Sequence, residues 1–133
     1  MNSKKQKRTH KKMGFKRLLN SFKYSWDGLV YAYGNEQSLW LHAAGVFVIV
    51  LLGIIFKINF YEWMALVISM VIVLAIELLN TAIEATVDLV THDIHPLAKI
   101  AKDCGSAAAC VTGFLMACVA IYIFIPYFVA LFK

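Results

Sequence analysis

Glu77, Asn80, Thr81, Glu84 and Asp88 fall at the end of a long apolar stretch, where a bilayer-spanning helix would carry none of these side chains. Ionisable groups at membrane depth are costly enough to mark an active centre or an ion path. At about 100° per residue, a helix turns Asn80, Thr81, Glu84 and Asp88 to within about 60° of the direction of Glu77. Leu78, Leu79, Ala82, Ile83 and Ala85 fall outside that stripe. One helix face therefore carries Glu77, Asn80 and Glu84, with the Asp88 carboxylate a turn further on.

Phosphoryl transfer to a hydroxyl asks for three kinds of group: carboxylates to hold magnesium, a cation to meet phosphate, and a base for the hydroxyl proton. Glu36, before the first apolar stretch, and Glu84 are candidates for a shared magnesium site, and Lys102 for meeting phosphate. Glu77 is about 10 Å deeper along the helix than Glu84, which suits a base acting on a lipid hydroxyl. The nucleotide signatures of soluble folds, G-x-x-x-x-G-K-S/T and G-x-G-x-x-G, are missing. A proton-coupled transporter subunit and a non-catalytic membrane adaptor are the rival classes. On the blander reading Glu77 and Asn80 only hydrogen-bond neighbouring helices, and Glu36, Asp88 and Asp103 are interfacial charges. His42, His92 and His95 read as interfacial or loop histidines, and Thr81 as a packing residue.

The elements that must position these groups follow from composition. Of 133 residues 61% are hydrophobic and 16% charged, which identifies an all-α integral membrane protein of one domain. Three stretches, about 39–56, 63–90 and 105–132, meet the roughly 17 to 25 residues a span requires. Ahead of them, Leu18, Leu19, Phe22, Trp26, Leu29, Val30 and Tyr33 take one side of a helix over 14–34, and Lys16, Arg17, Asn20, Lys23 and Asp27 the other. This is the pattern of an amphipathic surface helix. Gly34 and Asn35 are the expected turn into Glu36. Residues 1–12 form a polybasic tail, expected to be disordered near anionic head groups, and residues 13–133 a single membrane domain. Every basic residue up to Lys23 precedes the first acid, Asp27, which places the N-terminus in the cytoplasm. The loop at 56–62 is then outside and the loop at 91–103, with Lys99 and Lys102, inside. Phe60, Tyr61 and Trp63 suit an interfacial aromatic belt. The second span should end near His92, and Pro126 should kink the third. Cys104, Cys110 and Cys118 read as small buried residues without disulfide or zinc, and Gly105, Ser106 and Ala107–Ala109 as a close-packing surface. No nucleic-acid partner is expected.

The run Glu77-Leu-Leu-Asn-Thr-Ala-Ile-Glu-Ala-Thr-Val-Asp88, followed by Ala101-Lys-Asp-Cys-Gly-Ser-Ala-Ala108, closely resembles the signature of the small prokaryotic diacylglycerol kinase family, which includes undecaprenol kinases. The resemblance extends from about Gly14 to the end of the third span. It implies a homotrimer of three-span subunits in a bacterial plasma membrane, phosphorylating a lipid alcohol with MgATP at sites shared between subunits. Position by position, it implies that Glu77 is the catalytic base, supported by Asn80, and that Glu36 and Glu84 bind the metal. It further implies that Arg17, Tyr24, Lys102 and Asp103, with the loop from Asp93 to His95, contact the nucleotide. Arg17, Trp26, Glu77 and Ser106 would meet the lipid. His42 and the segment from Val87 to Lys99 resemble the Gram-positive branch, which favours undecaprenol. Cys104 to Ala108 looks more like the diacylglycerol branch, and both substrates stay open.

Overall fold

The computed structural model describes residues 14–91, 93 and 95–132. The polybasic tail, His92 and Ile94 lie outside the described residues. Four helices follow in order: α1 (Phe15–Asn35), α2 (Gln37–Phe56), α3 (Phe60–Val90) and α4 (Pro96–Leu131). The last three are long and apolar enough to cross a membrane.

The α1–α2 junction differs from the expected turn. Gly34 and Asn35 are helical, Asn35 Nδ2 donating back to Tyr31 O at 2.7 Å, and the break is the single residue Glu36 at φ −110°, ψ 112°. Glu36 thereby ends one helix and opens the next, its N–H still reaching Ala32 O at 2.8 Å. The corner is held by Trp40 Nε1 donating to Tyr33 O at 2.9 Å, with the two rings edge to face at 5.5 Å. Only Ala32 of α1 is buried. Leu18, Leu19, Phe22 and Trp26, the apolar side expected for α1, are exposed in the single chain.

The second span begins before its expected start at 63, because Asn59 and Glu62 form a reciprocal capping box that lets Phe60 open α3. It ends at Val90, just short of His92, with Thr91 as its cap. The connection between the second and third spans is the larger correction. In place of a loop over 91–103, α4 starts at Pro96, with His95 Nδ1 accepting from Leu97 N at 3.2 Å. Proline suits the first helical position, where its missing N–H is not needed. The helix is therefore two and a half turns longer at this end than the expected span, and Lys99, Lys102 and Asp103 sit on it rather than in a loop. At 36 residues α4 is about 54 Å long, beyond a hydrocarbon layer of about 30 Å. It continues through Pro126 to Leu131.

The most extensive packing is between α3 and α4. Leu66, Val73, Met116, Ile123 and Phe124 meet Ile49 and Ile58 in one apolar core toward the α2–α3 hairpin. Trp63 lies so close to Gly53 that a Cβ there would come 2.7 Å from its ring, which explains the glycine. At the same end, Tyr127 Oη donates to Glu62 Oε2 at 2.7 Å and joins α4 to α3. Cys104, Cys110 and Cys118 are free and exposed, contrary to the expected burial. The single chain covers only the strip of α4 facing α3, and the cysteines lie off that strip.

Candidate active site

The polar residues of α3 meet the start of α2 at the end of the bundle opposite the hairpin core. Glu77 is 3% exposed, and Asn80 and Thr81 are also buried. Both Glu77 oxygens are engaged from α2: Ser38 Oγ donates to Oε2 at 3.0 Å, and His42 Nε2 lies 2.8 Å from Oε1. Ser38 and His42 reach the same carboxylate because residues four apart share a helix face. Thr81 Oγ1 donates to the Glu77 carbonyl at 3.1 Å, the packing role expected of it. His42 was expected to be a bystander at the interface, and this is a correction: it is the only titratable group hydrogen-bonded to Glu77 among the described residues. The signal available in the sequence was the Ser38–His42 spacing in an otherwise apolar helix.

One turn further along, Asn80 Nδ2 donates to Glu84 Oε1 at 3.1 Å. Asn80 Oδ1 is buried without a partner among the described residues. Gly105 of α4 is buried against it, and any Cβ there would collide with Oδ1. The expected close-packing surface thus has a specific purpose at Gly105, which is room for the Asn80 amide. Ser106, next to it, is exposed.

Glu36 faces this group from the α1–α2 break. Burial, then the negative charges of Glu84 and Glu77, hold its carboxyl above the usual glutamate range. Carboxylates that repel one another in this way are suited to sharing a cation. Among the described residues no set of three or more histidine, cysteine or acidic side chains is gathered as a metal cage. Two hard oxygen anions, with water and phosphate completing the shell, fit magnesium, which is seldom held by an all-protein cage.

A second polar cluster lies around the α3–α4 connection. Lys102 Nζ donates to Asp88 Oδ1 at 2.6 Å, tying α4 to α3, and Lys99 pairs with Asp103 one turn apart. Asp93 N donates to Thr91 Oγ1 at 3.1 Å. Asp88, Asp93, His95, Lys99, Lys102 and Asp103 line a cleft of about 350 Å³. The structure so brings the candidates into two neighbouring groups: Glu36, Glu77, Asn80 and Glu84, and then Asp93, His95, Lys102 and Asp103. Arg17 is exposed, and Tyr24 and Trp26 are 67% and 66% exposed. Between α1 and α3 runs an apolar groove of about 530 Å³, lined by Ser25, Gly28, Leu29, Ala32, Leu78 and Thr81 among others.

Comparison with known proteins addresses the chemistry. Residues 23–124 match the family described as prokaryotic diacylglycerol kinase. The chain is 36% identical over 110 residues to an undecaprenol kinase of Bacillus subtilis, covering 83% of this chain and 89% of that one. It is 40% identical over 99 residues to a diacylglycerol kinase of Helicobacter pylori, 74% of this chain and 77% of the relative. It is 36% identical over 95 residues to the diacylglycerol kinase of Escherichia coli K12, 71% and 78% respectively. With three helices long and apolar enough to cross a membrane, a buried Glu77 flanked by Glu36 and Glu84, and this match across most of its length, the chain belongs to the prokaryotic diacylglycerol kinase family and is a membrane lipid kinase that uses ATP.

Proposed function

We propose that the protein transfers the γ-phosphoryl group of MgATP to undecaprenol, at the cytoplasmic face of a bacterial plasma membrane, as a homotrimer with composite sites. The observation that carries this reading is Glu77: a carboxylate 3% exposed at membrane depth, its two oxygens aimed by Ser38 and His42. Glu77 accepts the proton of the lipid hydroxyl. That oxygen forms its bond to the γ-phosphorus, and the bond from γ-phosphorus to the bridging oxygen breaks, its electron pair leaving with ADP. Asn80 holds Glu84 through Nδ2, while its Oδ1 is buried against Gly105 of α4. Glu36 and Glu84 would hold the magnesium, whose charge would offset that building on the phosphate oxygens. Lys102, Asp103, Asp93 and His95 form the nucleotide side, with Arg17 and Tyr24 contributed by α1. Trp26 and Ser106 flank the lipid, whose chain the apolar α1–α3 groove accommodates.

Similarity to the Bacillus subtilis undecaprenol kinase, which covers more of this chain than the other two relatives, supports undecaprenol. The second reading, diacylglycerol, is favoured by the name the Helicobacter pylori and Escherichia coli relatives carry. Radiolabelled ATP with purified protein in detergent, offered undecaprenol and diacylglycerol separately, distinguishes them. Glu77→Gln keeps size and hydrogen bonding but takes no proton, so turnover falls by roughly 10² or more while nucleotide binding survives. Near-normal turnover in that variant sinks the assignment of the base.

A further inference from the structure

We propose that His42 is the proton outlet of Glu77, a positioning and relay residue that acts through the base rather than on substrate. The inference rests on the reading of Glu77 as the base. A base that turns over must lose the proton it takes, and Glu77 is sealed: its side chain is 4% exposed, against 26% for His42. Among the described residues, two side chains touch its carboxyl oxygens. Ser38 has one hydroxyl proton and donates it to Oε2, whereas imidazole can take a proton at one nitrogen and release one from the other. The ring is seated at a three-helix junction, because Gly113 of α4 leaves the space in which a Cβ would stand 3.2 Å from His42 Cε1. His42 lies on the second turn of α2, so the outlet leads toward the bundle end that holds Glu36.

The step conserves its proton. With the His42 ring proton on Nδ1, Nε2 is free to accept: after phosphoryl transfer Glu77 carries the former lipid hydroxyl proton, which passes from Oε1 to Nε2 across the 2.8 Å contact. The resulting imidazolium gives up its Nδ1 proton to water, and exchange with water restores the starting tautomer.

The test separates the first turnover from those that follow, using rapid-quench kinetics on the full-length protein with undecaprenol and MgATP. In His42→Gln, an amide can still hydrogen-bond Glu77 but cannot relay a proton. The first turnover should stay within about twofold of the wild type, while the steady-state rate falls about tenfold or more. In His42→Ala, added imidazole should restore much of the steady-state rate. An unchanged steady state in His42→Gln, equal losses in both phases, or no imidazole response in His42→Ala would overturn the outlet. The two readings fail separately: a Glu77→Gln protein that keeps its first turnover removes the base, whereas a lost first turnover there with unchanged His42→Gln kinetics removes only the outlet.

Discussion

Replacing Gly105 by alanine tests whether the Asn80 amide is part of the machinery or only a buried polar group. The added Cβ collides with Asn80 Oδ1, and Asn80 is 7% exposed, so the amide has to turn to make room. Turning it breaks the 3.1 Å bond from Nδ2 to Glu84. A hydrogen bond to a charged group contributes about 1.5 to 3 kcal/mol. If that energy is felt in the transition state, kcat falls about 10- to 150-fold at about 1.4 kcal/mol per decade. Fold stability should change less, since alanine gains about 0.8 to 1 kcal/mol over glycine inside a helix and offsets part of the overlap. The assay is radiolabelled lipid phosphorylation beside a thermal melt, run as a double-mutant cycle with Asn80→Ala. On the Asn80→Ala background the Gly105→Ala loss should disappear. A loss that persists in full without the Asn80 amide would refute the reasoning.

The other predictions follow the same geometry. Glu84→Gln or Glu36→Gln removes a hard oxygen anion and should raise the magnesium concentration needed for half-maximal rate; an unchanged titration in both would make them ordinary interfacial charges. Glu36 holds its proton to higher pH in the folded protein than in the unfolded chain, because of burial and then the charges of Glu84 and Glu77. With a chelator present, stability should therefore fall as pH rises from the ordinary glutamate range through the raised value, and melts of Glu36→Gln should be flat over that window. Tyr127→Phe removes the 2.7 Å bond to Glu62 at the far end of the bundle and should lower the midpoint of a denaturant titration while kcat is unchanged. Mixing Glu77→Gln subunits with Arg17→Ala subunits should recover part of the activity if each site draws on two chains. Assembled mixtures with no recovery would mean that each subunit builds its own site.

The apolar spans, the polar stripe of α3 and the family signature were all readable in the sequence, for one reason. In a membrane helix the rise and turn per residue are fixed by backbone hydrogen bonding, so Glu77, Asn80, Thr81 and Glu84 share a face whatever surrounds them. Local capping chemistry is also carried by the sequence: Asn59 with Glu62 and His95 with Pro96 set helix starts earlier than apolar content alone places them. What no periodicity contains is which residue of one helix faces which residue of another. The pairing of Ser38 and His42 with Glu77 depends on how α2 lies against α3, and the fit of the Asn80 amide against Gly105 on how closely α4 approaches. His42 therefore read as an interfacial bystander and Gly105 as generic packing. Only the packed helices show the first against a buried carboxylate and the second as the space an amide needs, because contacts between helices arise from their crossing rather than from the order of residues along either one.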